Sequence, residues 1–131
     1  MNKQKYIDPN YTPTKHICEE LENLNEQKED LSQFNLKNAN LVNINLINAK
    51  MKNANLERAD LLSASMYGIN LSGSNLFKAN FENANLNGAN LENCNLLGTN
   101  FTNTKLKNVN WGKNYKVINE LEAEEAYKNG Q

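Results

Sequence analysis

The chain has 131 residues, enough for one ordinary domain and too few for two. Apolar residues reach only 39% and mean hydropathy is −0.76, yet the net charge of −1 is far from the strong charge that keeps polar chains unfolded. Six glycines and two prolines exclude collagen-like and linker-like chains.

No apolar run marks a secretory signal or a membrane span. Two cysteines, Cys18 and Cys94, can neither build a disulfide framework nor offer metal-ligand spacing, so a reducing, cytoplasmic setting is the expectation. The anomaly is asparagine, 28 of 131 residues. At that density it serves something regular.

In chain order, residues 1–33 read as an N-terminal segment with a helix over 12–24, where Thr12 is the N-cap, Pro13 comes next, and Ile17, Leu21 and Leu24 share one face. Residues 25–33 form a bridge in which Leu31 is already in phase with the repeats beyond it. Residues 34–113 are sixteen unbroken five-residue units, from FNLKN to VNWGK. Their third position is always large and apolar: Leu36, Leu41, Leu46, Met51, Leu56, Leu61, Met66, Leu71, Leu76, Phe81, Leu86, Leu91, Leu96, Phe101, Leu106 and Trp111. The first position is mostly small, with Ile44 and Ile69 as departures that predict local widening, and the second is Asn in twelve units and Asp60 in one. Residues 114–131 close the chain with a second amphipathic helix expected over 116–128.

A period of five fits neither standard element. On an α-helix the apolar positions would fall about 140° apart and form no face. On a flat strand they would alternate sides, because five is odd. Only a chain that turns a corner at every unit keeps all the large residues inside, and Asn and Gly are the residues that tolerate such corners.

The unit A-N-L-x-x resembles the A-(D/N)-L-x-x motif of the pentapeptide repeat family. The resemblance implies an all-β repeat solenoid, a right-handed quadrilateral β-helix with four units per coil and about four coils, closed at each end by a short capping helix. Residues 20 apart would then stack: Leu36 with Leu56, Leu76 and Leu96, and Leu41 with Leu61, Phe81 and Phe101. The remaining columns are Leu46, Met66, Leu86 and Leu106, then Met51, Leu71, Leu91 and Trp111. Phe81 and Phe101 would pile ring on ring, and Phe34 and Trp111 would plug the two ends.

No catalytic constellation emerges, and neither an enzyme nor a cofactor is expected. His16, the single histidine, sits among polar neighbours, Cys94 occupies an inward slot, and Cys18 adjoins Glu19 and Glu20, which disfavour a thiolate. Glu57 and Asp60 are a carboxylate pair interrupted by Arg58. The function implied by the resemblance is a protein–protein interaction or scaffold module of a bacterial cytoplasm. The alternative is a DNA-mimicking regulator or protector of a type II topoisomerase, as in some members of the family. The charge of residues 34–113, eight basic against four acidic, disfavours the acidic mimic. The scattered lysines predict no specific nucleic-acid binding.

The candidate binding residues come from the fourth, outward position of each unit. Six of the sixteen are apolar there: Val42, Ile47, Leu62, Tyr67, Phe77 and Leu97. In the 20-residue columns Val42 lies under Leu62 and Ile47 under Tyr67 on consecutive faces, which predicts one principal protein-binding patch. Phe77 and Leu97 form a secondary one. The expected partner is a protein of unspecified identity, or a second copy joined through the C-terminal helix; no membrane partner is expected.

Overall fold

A backbone that bends every five residues must find partners for five N–H groups per unit, and the way it does so defines this fold. The computed structural model describes residues 2–113; the helix expected over 116–128 lies outside them. The second residue of each unit forms a parallel bridge to the residue 20 positions on, from Asp30↔Lys50 to Asn90↔Asn110. Four units therefore complete one turn, and the chain climbs as a β-helix with four faces.

The bonding repeats with the same period. The N–H of position three donates upward to position two of the next coil (Leu36 to the Asn55 carbonyl, 2.7 Å), and that of position five to position four (Asn38 to Glu57, 2.9 Å). The N–H of position two donates downward (Asn55 to Phe34, 2.9 Å), while that of position one closes the corner locally (Ala39 to Leu36, 3.0 Å). The fourth N–H points away from both ladders. It is taken by the Oδ1 of the asparagine two residues earlier, as from Phe77 to Asn75, Glu82 to Asn80 and Asn87 to Asn85, each 3.0 Å.

Two units have lysine where the asparagine should be, and there the acceptor comes from the coil below. Ser32 Oγ accepts from the Lys52 N–H at 3.0 Å, and Asn87 Oδ1 from the Lys107 N–H at 2.8 Å. The asparagines also bond to one another along their columns, Asn100 Nδ2 to Asn80 Oδ1 and Asn80 Nδ2 to Asp60 Oδ1, both at 3.1 Å.

Position five carries the second share of the asparagine. Its φ is positive from Gln33 to Asn108, for example +61° at Asn38 and +74° at Gly73. Asn and Gly accept that region most readily, and other side chains are strained in it. At Gly73 a Cβ would also press on Asn53 Oδ1 of the coil below, a side-chain atom that would have to turn aside.

Inside, every predicted third-position residue is buried, from Leu36 to Trp111. Phe81 and Phe101 stack with centroids 5.8 Å apart and planes 7° off parallel, and Trp111 meets Phe101 edge-on at 5.6 Å. The polar first-position residues donate to carbonyls 23 residues earlier, Thr99 to Leu76 at 2.8 Å and Thr104 to Phe81 at 2.7 Å. Ile44 and Ile69, where local widening is expected, leave the axial ladder regular. Both are buried, and their carbonyls accept ladder bonds of 2.8 and 2.9 Å, like those elsewhere.

The N-terminal boundary differs from the sequence reading. The solenoid begins one unit before residue 34, at residues 29–33: Leu31 is fully buried, Asp30 bridges Lys50, and Gln33 has the positive φ of position five. Ahead of it stand α1 (Gln4–Ile7) and α2 (Ile17–Glu26). The helix expected from residue 12 starts at Ile17 instead. Thr14 Oγ1 takes the His16 N–H, and the carbonyls of Asp8, Pro9 and Tyr11 accept from Asn35 Nδ2, which ties residues 8–11 to the solenoid. Ile17, Leu21 and Leu24 are buried as expected. The helix stops at a left-handed Lys28 (φ +60°), where the Glu29 N–H reaches the Leu24 carbonyl at 3.0 Å and the Lys28 N–H the Asn25 carbonyl at 2.9 Å.

This segment satisfies the lower edge of the first coil, whose groups have no coil beneath them. The Asn35 N–H donates to the Tyr6 carbonyl at 2.6 Å, and the Asn45 N–H to Glu22 Oε2 at 2.7 Å. Cys18 Sγ donates to the Asn40 carbonyl at 3.4 Å, and Asn25 Nδ2 to the Ile47 carbonyl at 3.1 Å. Tyr6 lies over Phe34, ring centroids 4.7 Å apart, and seals the core from below.

The bonding scheme can be tested at two side chains. Asn80→Ala removes the acceptor for the Glu82 N–H and two links of the amide column, and should cost about 1–3 kcal/mol in urea unfolding. Asp30, at position two, accepts from the Ser32 side chain and backbone N–H, which holds its carboxyl below the usual range. A depressed folded-state value stabilises above the unfolded-state value and is lost as pH falls through the folded one. Stability of the wild type should therefore fall between about pH 5 and pH 2 more steeply than that of Asp30→Asn, compared in parallel urea titrations.

Candidate functional site

Rigid ladders fix the outward residues of position four in four vertical rows. The first face carries Lys37, Glu57, Phe77 and Leu97; the second Val42, Leu62, Glu82 and Thr102. The third carries Ile47, Tyr67, Asn87 and Lys107, and the fourth Ser32, Lys52, Ser72 and Glu92. The first and third faces are two corners apart, on opposite sides of the helix.

The six predicted contact residues divide on this scaffold. Ile47, Tyr67 and Leu97 are 42%, 52% and 51% exposed, whereas Val42, Leu62 and Phe77 are half-buried. Val42 and Leu62 adjoin Ile47 and Tyr67 around one corner. Phe77 is covered in part by cations: Arg58 Cζ and Lys78 Nζ each lie 5.2 Å from its ring centroid. Glu57 sits below, 2.7 Å from the Arg58 guanidinium and 4.0 Å from Lys37 Nζ.

The sequence reading missed this cluster although its signal was present. Positions 58 and 78 are 20 apart and so share a column next to Phe77. It also missed an acidic rim on the third face. There α2 leaves a groove of about 400 Å³ lined by Glu22, Asn25, Glu26, Asn45 and Ile47. Nothing in the repeat announces this, because it depends on where α2 packs.

The remaining candidates take structural positions. Cys94 is buried and donates to the Leu71 carbonyl at 3.0 Å; burial pushes its thiol up to about 12. Burial, then Glu22 and Glu19, also raises the half-buried Cys18 thiol. His16 is exposed at the start of α2. Glu57 pairs with cations, and Asp60 accepts from the Leu62 N–H and the Asn80 amide, so the two carboxylates serve separate contacts. Among the described residues no cluster of His, Cys, Asp or Glu could hold a metal ion, and no helix is long and apolar enough to cross a membrane.

A family model described as pentapeptide repeats matches residues 30–61, 39–76 and 74–110, with eight copies. A pentapeptide repeat protein (Rfr23) from the cyanobacterium Cyanothece 51142 is 42% identical, over 66% of this chain and 58% of its own, with a TM-score of 0.64. The chain thus spans little more than half the length of that protein. A second, alr5209 from Nostoc PCC 7120, is 26% identical over 84% of this chain and 92% of its own, also with a TM-score of 0.64. These likenesses make the solenoid a right-handed β-helix. No curated protein matches the chain.

The cysteine environments give a direct check. At neutral pH a thiol-specific alkylating reagent should leave Cys94 untouched until urea unfolds the helix, and should modify Cys18 only slowly, as read by peptide mass spectrometry.

Proposed function

This chain belongs to the pentapeptide repeat family, and we propose that it is a non-catalytic protein-interaction or scaffold module. In this reading the solenoid is a tower of about four coils, the N-terminal segment caps its lower end, and the setting is a reducing bacterial cytoplasm. One observation carries it. Ile47 and Tyr67 stand exposed in one column, with Val42 and Leu62 beside them, on a backbone that every unit pins to its neighbours. Contiguous apolar surface on a soluble chain costs solubility unless something covers it. Side chains held by a rigid frame also lose little freedom when they are covered. Phe77 and Leu97 form a lesser strip of the same kind. The net positive charge of residues 34–113 supports a protein partner over mimicry of duplex DNA.

Changing Leu62 and Tyr67 together to Ser tests the reading. The circular dichroism spectrum should be unchanged, because both side chains point outward, while capture of the partner by the tagged chain from a lysate of its source should fall at least about tenfold. Undiminished capture by a folded double variant overturns it.

A further inference from the structure

The two apolar strips differ in charge. On the third face, Ile47 borders the groove that holds Glu22 and Glu26, two carboxylates on α2. On the first face, Phe77 lies under Arg58 and Lys78, and the cluster counts three cations, with Lys37, to one carboxylate, Glu57. Glu57 is already shared between Lys37 and Arg58. Lys78 faces a ring instead of a carboxylate, and Leu97 stands exposed in the row above. One strip is an apolar pair with an acidic border, the other an apolar pair with a basic border.

We propose that the third face of one copy receives the first face of a second copy, Ile47 and Tyr67 covering Phe77 and Leu97 while Arg58 and Lys78 meet Glu22 and Glu26. Complementarity selects the occupant. Pairing either strip with itself opposes like charges when the towers run parallel and sets each charged border against the far end of the strip when they run antiparallel, so only the mixed pairing brings Arg58 and Lys78 to Glu22 and Glu26. The register is set as well. With the two towers parallel and offset by one and a half coils, about 7 Å, Phe77 comes level with Ile47 and Leu97 with Tyr67. That offset drops Arg58 to the height of α2. Antiparallel towers would match the apolar residues equally well but set Arg58 against Asn87 and away from the carboxylates. Because the two faces are on opposite sides, each copy keeps a free face, and association builds an open row, not a closed pair. With only two outward apolar side chains in each strip, Phe77 among them half-buried, the contact is weak and depends on protein concentration and on salt.

This proposal rests on the reading of the outward strips as contact surfaces, and its test separates the two. Sedimentation velocity of the full chain at rising concentration should show species beyond the dimer that recede when salt is added. Ile47→Ser with Tyr67→Ser removes the third-face strip; Lys78→Glu with Leu97→Ser removes the first-face strip. Each folded double variant should associate at least about tenfold more weakly than the wild type, while an equimolar mixture of the two should form a 1:1 pair and nothing larger. A wild type that stays monomeric throughout, variants that associate like it, or a mixture that forms no pair overturns the proposal. None of those results bears on the lysate capture above, which a heterologous partner would still satisfy.

Discussion

The N–H group at the fourth position of each unit is the constraint on which the structure turns. A chain wound in coils can pair its backbone with the coil above, the coil below and its own corner, and these directions absorb four donors of every five. The fifth faces outward at the bend, and leaving it partly desolvated without a partner would cost on the order of 1–3 kcal/mol per unit. A carbonyl oxygen on a short side chain two residues back is the local remedy, and asparagine supplies it without adding charge. The sixteen inward side chains alone do not offset the entropy of ordering so long a stretch. The corner bonds and ladders are therefore as necessary as the core.

The parts of the fold that repeat were legible in the sequence, and those that do not repeat were not. Leu36 through Trp111 announce the core because each is the same element of one period, and the 20-residue columns emerge once four units are taken per coil. The start at Phe34 is one unit too late. The preceding unit, Glu29 to Gln33, has an acid where the motif has a small residue, and although Leu31 is in phase, it is the ladder from Asp30 to Lys50 and the positive φ of Gln33 that identify it as the first step. Thr12 and Pro13 are an ordinary helix-start signal, overridden by a tertiary demand: the amide of Asn35 takes up the carbonyls of Asp8, Pro9 and Tyr11. Tyr6, the ring that seals the bottom of the core, carried no pattern at all.

The candidate surface shows the same division. Position and period were enough to select the six outward apolar residues, but not to rank them. Exposure depends on neighbours at other positions, so Phe77, lying under Arg58 and Lys78, differs from Leu97 one coil above it. The carboxylates near Ile47 belong to α2, outside the repeat. Much of the character of this surface thus comes from charged residues that the five-residue rule leaves free.

The ladder also sets the units in which this architecture can grow. Every backbone bond between coils joins residues 19 or 21 apart, and no coil touches any but its neighbours. Removing or duplicating twenty consecutive residues would return each remaining side chain to its own column, with the same face outward and the same partner beneath. A change of five would carry every later residue around one corner, keeping the core while reassigning the faces. A change of one would turn leucines out and asparagines in. Length in this protein is therefore quantised: whole coils alter its height, single units rotate its surface, and anything finer dissolves the register that holds it together.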